Sequence, residues 1–269
     1  FPTYQMMIDA GINARAIAGQ WAHNYPDQPD RHSELGSGYG LEAYPNMSRM
    51  DWAVELYQWF NYYLKDIGEE PEPMVQIQTN DGRWHLEETW PPEDMTWNMQ
   101  EIGNSWSVTG STVNAQGSSV TLVSEELTQL THISGLPTLH LDVITQACQG
   151  GQIFATLFDN TNDLRLGHAT MDIRYRDGGY DAKPTSPFSS YTMLMEFNPL
   201  DVVVPAGHTL RIELTESGED YLPSPCATNP LGGLDVDGGM IGLPIIDRPN
   251  SHDSWFLAPP WWDQQPIPE

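Results

Sequence analysis

The apolar residues of this 269-residue chain change their spacing across Gly68-Glu69-Glu70-Pro71-Glu72-Pro73. Upstream they recur at helical intervals. Downstream they fall on every second position, the repeat of a strand with one buried face. Residues 74–79 read as a strand, Asn80-Asp81-Gly82 as a hairpin signal, and 84–90 as the returning strand before Pro91-Pro92. Segments 119–124, 138–145, 152–159, 168–175, 191–197, 201–204 and 209–215 are further strand candidates, set apart by Gly, Pro, Asn and Asp turns. No long helical pattern interrupts them, so a mainly β chain is expected, its second part an antiparallel sandwich of jelly-roll type. The tail from Pro223, rich in proline, glycine and tryptophan, is expected to be irregular structure wrapped on that sandwich.

Before the switch, Ser48 and Asp51 form a capping pair for a helix over 49–65. Its stripe of Trp52, Leu56, Trp59, Phe60 and Tyr63 is expected to face the core. Residues 2–10 place Tyr4, Met7 and Ile8 at helical spacing, with Gly11 as a stop. Small apolar residues from Ala14 through Ala18 then read as a buried strand that delivers His23 onto a loop opened by Asn24-Tyr25-Pro26-Asp27. In an open α/β sheet the carboxyl ends of the strands border the ligand crevice, so an imidazole there is well placed for proton transfer. A loop histidine with no chemical role is the alternative that position alone leaves open. The cluster Gly36-Ser37-Gly38-Tyr39-Gly40 is not a nucleophile elbow, because its serine stands one place too early and no strand precedes it. Asn46-Met47-Ser48 is a glycosylation acceptor in form, relevant to a secreted protein.

Charge limits the partners. Eleven basic residues, only Lys65 and Lys183 being lysines, face 37 acidic ones, for a formal net charge of −26. Such a surface repels phosphate backbones and anionic lipid, which argues against nucleic-acid binding and membrane insertion. It also repels itself, so a salt-rich setting is expected. Ten tryptophans, 11 tyrosines and 7 phenylalanines are too many for a solvated acidic tail, and the chain must fold. Cys148 and Cys226 could be one disulfide or two buried thiols. His132, His140 and His168 lack metal-like clustering, His208 reads as a structural turn histidine, and Asp235-Val236-Asp237-Gly238-Gly239 reads as a solvated acidic turn in preference to a calcium loop, so no metal or cofactor is expected. A chain opening on Phe1 is expected to be a processed product or a fragment.

Several segments, in order, resemble the carboxyl-terminal portion of the X-prolyl dipeptidyl peptidase and cocaine esterase family of serine hydrolases. Gly19-Gln20-Trp21-Ala22-His23 is similar to the family's G-x-W-x-H around its catalytic histidine, and Trp59-Phe60-Asn61-Tyr62-Tyr63-Leu64-Lys65 to its WFDxxLK helix. Arg83-Trp84 with Trp90-Pro91 resembles the start of its second domain. Residues 130–137, ending Ser134-Gly135-Leu136-Pro137, and Val204-Pro205-Ala206-Gly207-His208-Thr209-Leu210 resemble its sandwich motifs. The resemblance implies that residues 1–70 end an α/β-hydrolase domain and 71–269 form a jelly-roll, galactose-binding-like β-sandwich. It implies acyl transfer on a small peptide or ester, with His23 as the base of a Ser, Asp and His triad. Serine and aspartate would lie on a separate chain or missing amino-terminal segment, since Asp9 stands on the wrong side of the first helix start. An extracellular or cell-surface location and a possible homo-oligomer belong to the same expectation. The alternative is a non-catalytic binding or assembly protein whose jelly roll contacts carbohydrate or neighbouring subunits.

Overall fold

A computed structural model describes residues 2–19, 51–218, 221, 226, 229 and 231–248. They divide into two compact units, each treated by itself. The first unit comprises 1–94, 201–203 and 247–269; the second comprises 95–200 and 204–246.

The first unit opens with helix α1 (Pro2–Asp9). Proline begins the helix where its missing N–H costs nothing. Gly11 ends it at φ 71°, with the Ile12 N–H donating to Met7 O (2.9 Å) and the Gly11 N–H to Ile8 O (2.9 Å), so two last-turn carbonyls are satisfied. Strand β1 (Arg15–Ala18) follows, then helix α2 (Asp51–Lys65), β2 (Met74–Gln78) and β3 (Trp84–Glu87). β1 pairs with β2 in parallel, Arg15 opposite Met74, and β2 turns back on β3 through Asn80-Asp81-Gly82, where Gly82 takes φ 83°. The three-stranded sheet therefore runs across residues 68–73.

Two expectations for this unit need correction. β1 is half-buried throughout, not buried. The α2 stripe is not a core face among the described residues: Leu56, Phe60 and Tyr63 are exposed. Polar contacts anchor the helix instead, Glu55 to Arg15 of β1 (3.0 Å) and the Tyr63 hydroxyl to Glu70 (3.1 Å). Asn13 joins them by donating to Tyr63 (2.9 Å) and to Pro71 O (2.7 Å).

The second unit holds β4 (Thr96–Glu101), β5 (Trp106–Thr109), β6 (Thr112–Val113), β7 (Val120–Ser124), β8 (Thr131–Gly135), β9 (Thr138–Thr145), β10 (Gln152–Asp159), β11 (Leu164–Asp172) and β12 (Ser190–Glu196). Strand β13 (Leu200–Val204) is shared between the units, and β14 (Leu210–Thr215) and β15 (Leu234–Ile246) complete the set. One sheet has the order β11-β10-β14-β7-β5, and the other centres on β15, flanked by β9 and β8 on one side and by β4 and β6 on the other. The chain is a mainly β protein carrying a β-sandwich.

Alternation builds its core. In β9, Leu139, Leu141 and Val143 point inward, and register places Met195 of β12, Leu139 and Ile241 of β15 in one buried row. In the facing sheet Leu157 of β10, Ile212 of β14 and Leu122 of β7 form another. Each such side chain contributes roughly 1.5–3 kcal/mol by leaving water. Cys148 and Cys226 are joined in a disulfide with Cα atoms 5.9 Å apart, closing 78 residues. A loop of that length stabilises by about 4.5 kcal/mol on chain-entropy grounds.

The tail is the main correction here. Residues 234–246, expected to be irregular, are the central strand of their sheet, because a bulge between Val236 and Gly238 lets a glycine-rich segment stay in register. The segment expected as strand 168–175 begins earlier, at Leu164, and ends in a 3-10 turn (Ile173–Tyr175) where Asp172 accepts from the Arg174 N–H (2.9 Å).

Candidate functional site

His23, the one candidate catalytic residue, lies outside the described residues, as do the 36–40 glycine cluster and the Asn46 acceptor. What is described is the strand that leads toward it: β1, fixed by β2 alongside and by the Arg15–Glu55 ion pair.

The chemically densest constellation in the first unit is one the sequence reading missed. Period two puts His85 and Glu87 of β3 on the same face, with His85 Nδ1 3.0 Å from Glu87 Oε1. On the other side of the ring, Nε2 lies 3.0 Å from Asp201 Oδ1. Arg248 closes the group, donating to both Glu87 oxygens (2.7 and 3.1 Å) and, from Nε, to Asp94 (2.6 Å). The His85 side chain is 4% exposed. Burial alone would lower its pKa, but the hydrogen bonds to Asp201 and Glu87 more than reverse this and raise it to about 9. For Glu87, burial pulls upward and is overcome by His85 and Arg248, which hold the carboxyl below its ordinary range. At neutral pH the centre is a buried imidazolium between two carboxylates. Both ring nitrogens are engaged, so it is a poor proton acceptor and serves as an ionic clasp, tying β3 to Asp201 and Arg248. The local His-x-Glu spacing was a usable signal, and Arg248, one of only 11 basic residues, was another.

In the second unit His208 follows the Gly207 turn (φ 83°), with Nδ1 2.8 Å from Oδ2 of the fully buried Asp159. Asp159 also accepts from the Thr161 N–H (3.0 Å), so the pair closes a turn. His168 lies 3.0 Å from both Arg165 Nη2 and the Tyr221 hydroxyl. Asp235, instead of lying in a solvated turn, accepts from Thr112 (2.6 Å) and Gln146 (2.9 Å) within the sheet.

With this architecture in view, a family model described as the X-Pro dipeptidyl-peptidase C-terminal non-catalytic domain matches residues 68–234. A Streptomyces avermitilis protein provisionally named as a Xaa-Pro dipeptidyl-peptidase is 22% identical over 89% of this chain and 46% of its own length. An alpha-amino acid ester hydrolase superposes with TM-score 0.61 at 16% identity, covering 91% of this chain and 52% of that one. A CocE/NonD family hydrolase from Staphylococcus aureus gives 0.56 at 13% identity, with 81% and 48% covered. An aminopeptidase from a marine sediment Thaumarchaeota archaeon gives 0.58 at 14%, with 73% and 44% covered. At these identities the superpositions speak to fold, and the chain spans about half the length of the relatives it matches. The family model takes in well over half of the sequence, and the protein therefore belongs to the family of the X-Pro dipeptidyl-peptidase C-terminal non-catalytic domain.

Proposed function

We propose that this chain is the carboxyl-terminal part of a serine hydrolase that cleaves an ester or an amide, with the β-sandwich as its non-catalytic domain and His23 as its general base. The observation that carries the reading is β1. A helix capped by glycine feeds a strand with a parallel partner, and the chain leaves that strand for a G-x-W-x-H segment. In this reading the first unit ends an α/β domain whose nucleophile and aspartate stand on preceding polypeptide, with the boundary expected at 70 carried past the β2–β3 hairpin, and the second unit is the sandwich domain, in jelly-roll connectivity. The substrate is a small peptide with proline near its amino end or a small acyl ester, as the names of the relatives suggest. The salt-rich, extracellular or cell-surface setting and self-association belong to the same proposal.

Purified natural protein carrying this sequence should contain a serine that reacts with a fluorophosphonate probe, located outside these 269 residues. His23→Ala should abolish labelling while leaving the sandwich folded, since the serine hydroxyl is a weak nucleophile without its base. Undiminished labelling of the variant would remove His23 from the mechanism. The family's own description, a non-catalytic domain, favours a second reading in which the sandwich binds or assembles. Natural protein that contains no reactive serine would decide for it.

A further inference from the structure

Strand β4 (Thr96–Glu101) is an edge. Its sheet partner among the described residues is β15, and five of its six residues are exposed. Soluble proteins guard such edges with lysine, proline or a bulge. The sequence Thr96-Trp97-Asn98-Met99-Gln100-Glu101 has no lysine or proline, its register with β15 is unbroken, and it leaves Trp97 and Met99 half exposed. A cavity of about 450 Å³ lies beside it. Asn98, Met99 and Gln100 all line that cavity. Asn98 pairs with Leu243 of β15 and shares its face, as Gln100 shares that of Ile241, so the cavity opens on this face of the strand. The floor is apolar, from Leu210, Leu243 and Ile245, and the far wall is the segment from Glu125 to Gln129. That wall is built in: the Glu125 N–H donates to Ser105 O (3.3 Å), the Leu127 N–H to His208 O (2.8 Å), and Leu127 O accepts from the Gly207 N–H (2.8 Å). Gln100 is oriented by the Trp106 indole, which donates to its Oε1 (2.6 Å).

We infer that this edge is a docking site for an extended polypeptide segment of basic character, which adds as a strand to β4 and turns alternate side chains toward the mouth of the cavity. Main-chain pairing supplies affinity in this mode, and the acidic and amide side chains at the mouth supply selection. Charge selects the class of partner. The lining contains Glu125 and Glu126 and no lysine, arginine or histidine, and Glu101 ends the strand. On a chain of net charge −26, a second copy presenting its own β4 would be repelled, whereas a basic segment would be drawn in.

The test is selection of a random dodecapeptide library on the folded protein, with hydrogen exchange as the site readout. Enriched peptides should alternate apolar and polar residues and carry net positive charge. Their binding should slow exchange in residues 96–101 about tenfold, and N-methylation at alternate peptide residues should weaken it by at least about tenfold, as loss of backbone pairing requires. Met99→Pro, at an exposed edge position whose N–H faces away from β15, should abolish binding with the far-ultraviolet spectrum unchanged, and Gln129→Trp should weaken it by narrowing the mouth. An absence of enrichment, indifference to N-methylation, or protection that falls elsewhere would each overturn the inference. A dimer in sedimentation that Met99→Pro dissolves would transfer the edge to a second copy and overturn the basic partner.

Discussion

His85 shows how one side chain can govern a pH range. In the unfolded chain its imidazole titrates near 6.5, and in the folded protein near 9. A group whose pKa is raised by folding contributes fully below its unfolded value and loses that contribution as pH climbs through the folded one. The clasp is therefore complete in mild acid and fails between 6.5 and about 9. A rise of that size corresponds to roughly 3 kcal/mol. Glu87 has the opposite sign: its depressed pKa gives stability above the ordinary carboxylate range, which is lost as pH falls through the folded value. His85→Gln should lower the urea unfolding free energy by roughly 3 kcal/mol at about pH 6, and the gap to wild type should shrink steadily as pH rises from 6.5 to about 9. A gap that stays constant over this range would mean that the ring is held by packing and not by charge. Half of the clasp was legible, because spacing of two in a strand puts His85 and Glu87 on one face. Asp201 and Arg248 are 116 residues from His85 and 161 from Glu87, and only the folded chain brings them in. His23 is the reverse case, legible through its motif alone.

At the level of the element, alternation was a sufficient guide wherever one face is buried. β9 occupies the span expected from its sequence, since it sets a clean inward row against a more exposed one, and β10 does so as a run buried on both faces and bounded by turn residues. β4 was missed for a physical reason: its alternation is limited to Trp97 and Met99, both of which stay half exposed, so the segment carries no buried face to mark it as a strand. β15 was missed because its glycines look like punctuation, whereas here they solve steric problems. A Cβ on Gly239 would stand 2.0 Å from the His140 carbonyl oxygen, at φ 145°, and a backbone oxygen inside a sheet cannot move aside. A Cβ on Gly242 would meet Thr138 Oγ1 at 2.5 Å and Met99 Sδ at 3.0 Å, both on side chains that can rotate. Gly239→Ala should therefore cost about 3 kcal/mol or more, and Gly242→Ala about 1 kcal/mol. Urea midpoints of the two variants check this ordering, and equal losses would contradict the steric account.

Across the whole molecule, scarce cations and abundant carboxylates set the behaviour in salt. Most described arginines are committed to nearby acids: Arg83 to Asp81, Arg174 to Asp172, Arg211 to Asp163 and Glu213, Arg15 to Glu55, and Arg248 to Glu87 and Asp94. Lys183 pairs with Asp177. These pairs use up the positive charge locally, so the remaining carboxylates of a −26 chain repel one another with little internal relief. This property was readable from composition, unlike the clasp, because it depends on totals and not on who meets whom. Screening falls to about 10 Å at 0.1 M salt and about 3 Å at 1 M, a range that crosses the spacing of neighbouring surface carboxylates. The melting temperature should climb with sodium chloride over that interval, most steeply at its lower end where the screening length changes fastest. Sucrose, which is excluded from protein surfaces but carries no charge, should give a smaller rise without that steep onset. A melting temperature that falls with added chloride, or that follows sucrose and chloride alike, would show that repulsion among carboxylates is not what limits the fold.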